Sequence, residues 1–454
     1  MVEWVIRGGS VVSSRGVELS DVAIADGTIV AVGQDLDVQA DRTIDASGLL
    51  VLPGVIDVHT HPVYLDDLRS LPVTAAYGGT TTVIHFAYAK PGEGLMDTIH
   101  RFREEAAAVS ILDFALHGGL FDPANQSHEI PLAMEAGVTS HKMFMTYAKL
   151  GWMTDDYQLM RTLDILGRVG GMGMVHAENG LATDYLQDKT NEAGDDPMEV
   201  FVATRPAILE AEAIHRAIAM AQVAGCPLYI PHMTARRGLE EVARARALGY
   251  RVYAETCPQY LTLTEDALRT QGPLVKIGPP LRSEDDREAL WEGLACGTLD
   301  TIASDHAAKA KRRGDDFFEA PYGSPQAETM LALAYHGGVN AGRTSLSRLV
   351  QVMSENPARI FGLYPKKGVI QSGSDADLVL FDPSIETQIT NESQHSNASY
   401  TAYEGMAVCG APVLTMQRGE VLVEKGEIRA REGRGKFLKT SCGQATIAEL
   451  QQPR

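Results

Sequence analysis

The stretch "VIDVHTHP" (residues 55–62) places two histidines two positions apart at the end of an apolar run. Side chains at positions i and i+2 leave a strand on the same face, so His59 and His61 could reach one metal ion. They could equally be packed side chains at a strand end. The residues that end the other strands of the chain decide between these interpretations.

Seven further apolar runs follow this one, and amphipathic helical segments separate several of them. Alternating strands and helices are typical of parallel βα units, and eight such units most simply close into a (β/α)8 barrel of the TIM type. An open doubly wound sheet is the rival α/β fold, but no glycine-rich phosphate turn follows the first run. The eight predicted strands lie within residues 54–61, 80–86, 113–120, 140–145, 172–178, 227–233, 251–260 and 300–306.

Both ends of the chain consist of short predicted strands separated by glycine turns, unlike the middle. We therefore predict a small β-sandwich domain built from residues 1–51 and 366–436, which enclose a barrel of residues 52–365. Residues 437–454 are predicted to form a polar, loosely held tail.

The composition limits the expected partners and compartment. A formal net charge of −19 argues against nucleic-acid binding, which needs clustered Lys and Arg, and the basic run "KAKRR" (residues 309–313) is interpreted as a solvated loop. No apolar run approaches about eighteen residues and no leader pattern begins the chain, so neither a membrane span nor export is expected. Five scattered cysteines without a C-x-x-C pair indicate a reducing, cytoplasmic compartment.

Several predicted strands end on a residue that can bind a metal or carry a proton, and strand ends meet at one mouth of a barrel. One such residue alone is more often packing, whereas six converging residues indicate a site. Imidazole and carboxylate suit zinc and its first-row neighbours. Four histidines exceed the need of one catalytic zinc, so two ions about 3.5–4 Å apart are expected. The six residues are His59, His61, Lys142, His176, His232 and Asp305.

Two neighbouring cations need a bridging anion, which a lysine ammonium cannot supply. Lys142 could supply one after reaction with CO₂, because the resulting carbamate has two oxygens. The other histidines are interpreted as structural, with His306 left open because it adjoins Asp305.

Nine stretches in order resemble the amidohydrolase superfamily and, within it, the cyclic amidase branch of hydantoinases and dihydropyrimidinases. By resemblance, the first contains the metal-binding H-x-H pair, "HKMFM" the carboxylated lysine and "ASDH" the catalytic aspartate. The stretches are "LPGVIDVHTH", "GGTTTVIHF", "HKMFMTY", "VHAEN", "PHMT", "ETCPQYLTLT", "GPPLR", "ASDH" and "NPARIFGLYPKKGVIQSGSDADLVLFDP".

The resemblance implies a hydrolase that opens the C–N amide bond of a cyclic amide or ureide by attack of a hydroxide bridging two divalent ions. Zinc is the commonest metal, with manganese, cobalt or iron as alternatives. By resemblance, an N6-carboxylysine at Lys142 bridges the ions. The other ligands would be His59, His61 and Asp305 for the more buried ion, and His176 and His232 for the second.

Further roles follow from the same resemblance. Tyr147 would donate a hydrogen bond to the oxyanion, and Asp305 would carry the hydroxide proton to the departing ring nitrogen. Glu178 and Glu255 are candidates either for orienting the imidazoles or for structural ion pairs. The implied partners are a small cyclic amide and other copies of the chain, in a homotetramer or homodimer.

Three features depart from the hydantoinase pattern. Gly278 precedes "PPLR" where serine is common, Tyr322 and Gln326 replace the usual Asn and Gly after the eighth strand, and the loop after His61 is short. Gly278 and Tyr322 remain the predicted substrate-binding positions beside Tyr147. We therefore expect a cyclic amide or imide whose shape differs from simple 5-substituted hydantoins or dihydrouracil.

Several alternatives stay open at this point. Dihydroorotases typically carry an arginine just after H-x-H that pairs with the substrate carboxylate. Here the first arginine after His61 is Arg69, so another arginine such as Arg282 would have to bind the carboxylate. Allantoinase, a cyclic imide hydrolase or a linear N-acyl or N-carbamoyl amide hydrolase would use the same metal chemistry. A non-catalytic scaffold is disfavoured, because all six expected metal-site residues are present.

Overall fold

The computed structural model describes residues 2–193, 196–442 and 445–451, which contain seventeen strands and sixteen α-helices. The strands are β1 Val2–Ser13, β2 Gly16–Ala25, β3 Thr28–Gly33, β4 Ala40–Asp45, β5 Leu50–Pro53, β6 Val55–Thr60, β7 Thr80–Ala89, β8 Asp113–Leu120, β9 Ser140–Phe144, β10 Met172–His176, β11 Leu228–Ile230, β12 Val252–Thr256, β13 Thr301–Ile302, β14 Leu378–Gln388, β15 Ala407–Gln417, β16 Glu420–Glu424 and β17 Glu427–Ile428. The helices are α1 Ser70–Tyr77, α2 Leu95–Val109, α3 Pro123–Gln126, α4 Ile130–Ala136, α5 Asp156–Val169, α6 Gly180–Ala193, α7 Pro197–Ala203, α8 Ala207–Ala224, α9 Arg236–Ala247, α10 Pro258–Thr262, α11 Asp266–Gln271, α12 Glu284–Cys296, α13 Met330–Ala334, α14 Leu346–Val350, α15 Asn356–Ile360 and α16 Ile447–Gln451.

The middle of the chain forms the predicted (β/α)8 barrel. Strands β6 to β13 are hydrogen-bonded in sequential order, and their register is parallel throughout. A parallel bridge between Thr60 and His306 joins the first strand to the segment after the last. All eight predicted strands are therefore confirmed, in their predicted order.

The barrel strands are buried along their whole length because both of their faces are covered. Every residue of β7 is buried, as expected for a parallel strand with side chains inside the barrel and helices outside. Phe86, Met174, Tyr229, Tyr253 and Phe361 belong to the cluster that fills the interior. The barrel is thus a packed core, and its free space lies at the mouth.

Helix α5 shows how the outer layer is specified. The side chain of Asp155 accepts a backbone N–H of the first turn, and Gly170 ends the helix in a left-handed conformation with φ of 73°. Leu159, Leu163 and Leu166 share one face of the helix and are fully buried. That face packs against the strands, as the amphipathic sequence predicts.

Both termini build the second sheet, as predicted. Its order is β17-β16-β15-β14-β5-β1-β2-β3, with β4 paired to β1, so nine strands form one hydrogen-bonded sheet. The antiparallel pair β5–β14 joins the N-terminal strands to the C-terminal ones. The domain boundaries at residues 51, 365 and 436 stay predictions.

The prediction of a loosely held C-terminal tail is wrong for the described part of it. The backbone N–H of Leu438 donates to Phe114 O at 2.7 Å, while Cys442 and Leu450 are buried. Residues 443–444 and 452–454 lie outside the described residues. A few apolar side chains in a polar stretch dock this segment against the barrel, and a composition average does not reveal them.

No helix in the described ranges combines the length and the apolar character needed to cross a bilayer.

A buried charge network links the barrel to the second sheet. The Nζ atom of Lys367 lies 2.7 Å from Asp113 Oδ2 at the start of β8, 2.9 Å from Asp375 Oδ2 and 2.8 Å from Asp377 Oδ2. Arg418, in the turn before β16, is also paired with Asp113. Burial would lower the pKa of Lys367, but the carboxylates outweigh that effect and raise it. The ammonium therefore compensates charges from both sheets.

Replacing Lys367 by methionine tests this link. Because the variant leaves buried carboxylates without their cation, we expect the free energy of unfolding to fall by about 3–5 kcal/mol. Lys366→Met is the matched control, because Lys366 adjoins Lys367 in the chain but has an exposed side chain. It should change the free energy of unfolding by less than about 0.5 kcal/mol. Equal urea denaturation midpoints for the two variants would contradict the proposed role.

Candidate active site

His59 and His61, at the end of β6, meet Asp305, which follows β13. Asp305 Oδ1 lies 2.9 Å from His61 Nε2 and 3.1 Å from His59 Nε2, and one ligand atom from each residue lies within 4.8 Å of the others. His61 Nδ1 is buried without a hydrogen-bond partner among the described residues, and His59 Nε2, although close to Asp305 Oδ1, does not form a hydrogen bond of good geometry. Buried polar atoms of this kind call for a partner, and the nitrogen and carboxylate donors fit a first-row divalent cation.

Lys142, His176 and His232 form the adjoining half of the centre. Lys142 on β9 is only 1% exposed, and its Nζ lies 3.3 Å from His232 Nε2. The ring of His232 lies 4.5 Å from that of His176 and 5.4 Å from that of His59, so the two halves are continuous. Lys142 forms no ion pair within the described residues. Burial lowers its pKa to about 8, although the charge of Asp305 opposes this effect.

The carboxylates distribute charge unevenly over the two imidazoles of β6. Burial lowers the pKa of His59, but Glu255 and Asp305 outweigh it and raise the pKa to about 9. For His61 burial prevails and the pKa falls to about 4. Burial would raise the pKa of Asp305, yet the imidazoles hold it well below its usual range. A divalent cation here would balance the carboxylates in place of a proton on His59.

Glu255 on β12 holds several of these groups in place. Its Oε1 lies 2.6 Å from His59 Nδ1 and accepts the backbone N–H of His232 at 3.0 Å. Its Oε2 accepts a hydrogen bond from the Tyr229 hydroxyl at 2.8 Å. The Tyr229 hydroxyl oxygen in turn lies 2.7 Å from Thr301 Oγ1. The fully buried carboxylate thus connects β6, β11, β12 and β13. It also directs His59 Nε2 toward the centre.

Glu178 orients an imidazole in the other half of the site. Its Oε2 lies 2.6 Å from His176 Nε2, so Nδ1 is the ring nitrogen that a metal could use. Both acidic residues singled out in the sequence therefore contact site imidazoles.

Three site residues have left-handed backbones. The φ angles are 65° at Tyr147, 43° at His232 and 50° at Asp305, and side chains other than glycine rarely adopt such values. Each conformation costs about 1–3 kcal/mol, which the surrounding structure must offset. These are the sharp turns that aim the side chains at the strand ends into the mouth.

A cavity of about 400 Å³ lies over this centre, and all nine predicted metal and substrate residues line it. Aromatic rings form much of its wall, including Tyr88, Phe121, Phe144 and Trp152. The ring of Phe121 stacks on both Tyr88 and Trp152. An apolar wall with a few polar groups at its base is typical of a small-molecule site.

The structure explains why glycine stands at position 278. A Cβ atom there would lie 2.7 Å from the Tyr147 hydroxyl oxygen and 3.1 Å from Tyr322 Cδ1. The Tyr322 hydroxyl accepts a hydrogen bond from Arg205 at 3.1 Å, which fixes the ring. Gly278 and Tyr322 are therefore a matched pair, in which the tyrosine fills the space next to the missing side chain.

Other residues considered from sequence lie outside the cavity. His306 is structural, because Nε2 lies 2.9 Å from Asp66 Oδ2 and Nδ1 accepts the backbone N–H of Gln326 at 3.2 Å. The Gln326 side chain accepts the Tyr403 hydroxyl. Arg282 is buried and paired with a carboxylate, whereas Arg69 is an exposed partner of another.

The interpretation of residues 309–313 as a solvated loop is wrong in part. Arg312 and Arg313 are exposed, but Lys311 is 2% exposed and its Nζ donates to Lys276 O at 2.7 Å. Lys309 is half-buried and lines the cavity together with Tyr64 and Lys276. Sequence reasoning missed these three residues, although the position of Lys309, four residues after Asp305, was a usable signal.

Comparison with known proteins agrees with this geometry. The profile of the amidohydrolase family matches residues 50–422. The chain is 39% identical to a D-hydantoinase of Ralstonia pickettii, over 96% of this chain and 99% of that protein, and 38% identical to an L-hydantoinase of Paenarthrobacter aurescens, over 96% and 98%. It is also similar to the crystal structure of a dihydropyrimidinase from Brevibacillus agri, with a TM-score of 0.93, 35% identity and coverage of 98% and 100%.

Replacing Glu255 by glutamine tests whether this carboxylate prepares His59 for a metal. We expect zinc affinity, measured by chelator competition, to fall about 10–100-fold, because the ring loses its charged hydrogen-bond partner. Tyr229→Phe is the matched control, since it removes one hydrogen bond to Glu255 and leaves the imidazole contact intact, so its loss should be smaller. Unchanged affinity in Glu255→Gln would contradict this role.

Proposed function

The chain belongs to the amidohydrolase family, and we propose that it is a metal-dependent hydrolase that opens the C–N amide bond of a cyclic amide or ureide. The observation that carries the proposal is the centre at the barrel mouth, where His59, His61 and Asp305 group together and the buried Lys142 lies 3.3 Å from His232. Relatives similar over nearly the whole chain are hydantoinases and a dihydropyrimidinase, which supports a hydantoin- or dihydropyrimidine-type ring.

We propose that the centre holds two divalent ions, with zinc as the first candidate. His59, His61 and Asp305 would hold one ion, and His176 and His232 the second. A carbamate on Lys142 would lie between them. The absence of a carboxylate partner for Lys142 among the described residues supports this modification, because a buried ammonium without a counter-ion is costly. When bound, such ions lower the pKa of water and polarise an amide carbonyl.

The protein's own groups would then move the proton and stabilise charge. Asp305 is held as a carboxylate, so it can take a proton from the attacking water and deliver it to the departing ring nitrogen. Burial raises the pKa of Tyr147 well above its usual value, so its hydroxyl stays a donor for the developing oxyanion. The attack forms a C–O bond, breaks the ring C–N bond and yields a carboxylate and a freed amide nitrogen.

The ring would lie where Tyr147, Gly278 and Tyr322 meet. Because Tyr322 occupies the space beside Gly278, the shape of this part of the cavity supports the hypothesis of a cyclic amide or imide whose shape differs from simple 5-substituted hydantoins or dihydrouracil. The similar relatives include both a D- and an L-hydantoinase at nearly equal identity. The proposal therefore specifies the type of ring but not which enantiomer the enzyme prefers.

The alternatives make distinguishable claims. An arginine that pairs a substrate carboxylate, as in dihydroorotases, does not line the cavity within the described chain. A scaffold without catalysis would not need the buried ligand set.

The five cysteines are free thiols, which supports the proposed cytoplasmic location. The homo-oligomer stays a prediction.

A substrate panel tests the proposal. We expect zinc- or manganese-loaded enzyme to hydrolyse members of a set of 5-substituted hydantoins, dihydropyrimidines, allantoin, dihydroorotate and cyclic imides, with the ring-opened product identified by mass spectrometry. N-carbamoyl and N-acyl amino acids are the linear controls and should not react. Turnover of only the linear compounds, or of none, would contradict it. Best turnover of plain hydantoin or dihydrouracil would overturn the hypothesis of an unusual substrate shape.

A further inference from the structure

Three lysines come from two loops beside the cavity, and two of them are committed to the protein itself. Lys276 is 2% exposed, and its Nζ donates to the carbonyls of Phe317 at 2.8 Å and Phe318 at 2.7 Å. Lys311 donates to the carbonyl of Lys276. These two ammonium groups are structural, because main-chain oxygens already satisfy them.

Lys309 differs from both. It is half-buried and lines the cavity, yet it forms no hydrogen bond or ion pair anywhere in residues 2–193, 196–442 and 445–451. Its contact is with a ring, because Nζ lies 3.9 Å from the centre of the Tyr64 ring. A cation in this position is partly desolvated and lacks an anion, an arrangement that proteins normally avoid.

A backbone hydrogen bond places the loop that carries Tyr64 beside the segment that carries Lys309. Leu65 N donates to Ala308 O at 2.9 Å, so the segment after His61 runs directly against the segment after Asp305. Tyr64 and Lys309 therefore belong to one built wall of the cavity. This is the loop after His61 whose short length departs from the family pattern.

In the part of the chain that the structure describes, no carboxylate forms an ion pair with the Lys309 ammonium. Glu319 also lines the cavity, but it is exposed, and it has no ion pair with Lys309 among the described residues. For Lys309, burial lowers the pKa to about 8, and the carboxylate that opposes this effect is Asp305. Asp305 is already engaged with His61 at 2.9 Å.

We propose that the ammonium of Lys309 binds an anionic substituent, a carboxylate carried by the ring of the substrate, so that this enzyme acts on acidic cyclic amides. The inference rests on the proposed function and names its substrate class. A cavity of about 400 Å³ is larger than a bare five- or six-membered ring and leaves room for a side group. Lys309 would thus have the task that an arginine performs in other carboxylate-binding sites.

The test compares hydantoin-5-acetate with hydantoin-5-acetamide, two compounds of the same size that differ in charge. We expect the wild-type enzyme to prefer the acid in kcat/KM by about tenfold or more. In Lys309→Met the acid-to-amide ratio should fall toward one, and in Lys309→Glu it should fall below one. Because each ratio is measured on one enzyme preparation, a general loss of activity cancels.

Two further variants make the result specific. Lys309→Arg keeps the charge and should retain a preference for the acid. Lys149→Met removes an exposed, ion-paired lysine next to a residue that lines the cavity, and it should leave the ratio at the wild-type value. A wild-type ratio of one or less, or an unchanged ratio in Lys309→Met, would overturn the inference.

The outcome also separates this inference from the proposed function. If the wild-type enzyme opens neutral cyclic amides without preferring the acid, only the proposed carboxylate-binding role of Lys309 fails. If it opens no cyclic amide of either charge, both fail. If the methionine variant does not fold, the wild-type ratio and that of Lys309→Arg still decide.

Discussion

The buried carboxylate of Glu255 is the interaction on which the site depends most. It lies 2.6 Å from His59 Nδ1, accepts the backbone N–H of His232 and accepts the Tyr229 hydroxyl, so side chains from separate strands share one anion. A carboxylate inside a barrel is tolerated only when each oxygen is satisfied, and here the partners that satisfy it belong to the site or support it. Folding the barrel correctly therefore also positions the imidazoles.

Much of the fold and the site could be predicted because parallel barrels leave strong signals. Strands buried on both faces appear as continuous apolar runs, and strand ends converge on one mouth, so a residue such as His176 could be placed without coordinates. The contact of Thr60 with His306 joins the first strand to the segment after the last, as a closed barrel requires. The docking of Leu450 against the barrel could not be predicted, because one apolar residue in a polar stretch carries little signal.

What the sequence could not supply are contacts between loops that are distant along the chain. From sequence, Gly278 was only a departure from the hydantoinase pattern, but a Cβ atom at this position would lie against Tyr147 and Tyr322, so the glycine and Tyr322 are fitted to each other. Lys309 looked like part of a solvated run, since charge clusters usually are. Its burial depends on the segment carrying Tyr64, which is more than two hundred residues earlier in the chain.

The proposed function requires that one centre holds two divalent ions through a modified Lys142. The most direct measurement is the number of divalent ions per chain, determined by elemental analysis of the purified protein and of Lys142→Ala. The account predicts two ions per chain in the wild type and one or fewer in the variant, because removal of the amine removes the shared bridge. A wild type that binds no metal, or a variant that keeps two ions without an added carboxylic acid, would contradict it.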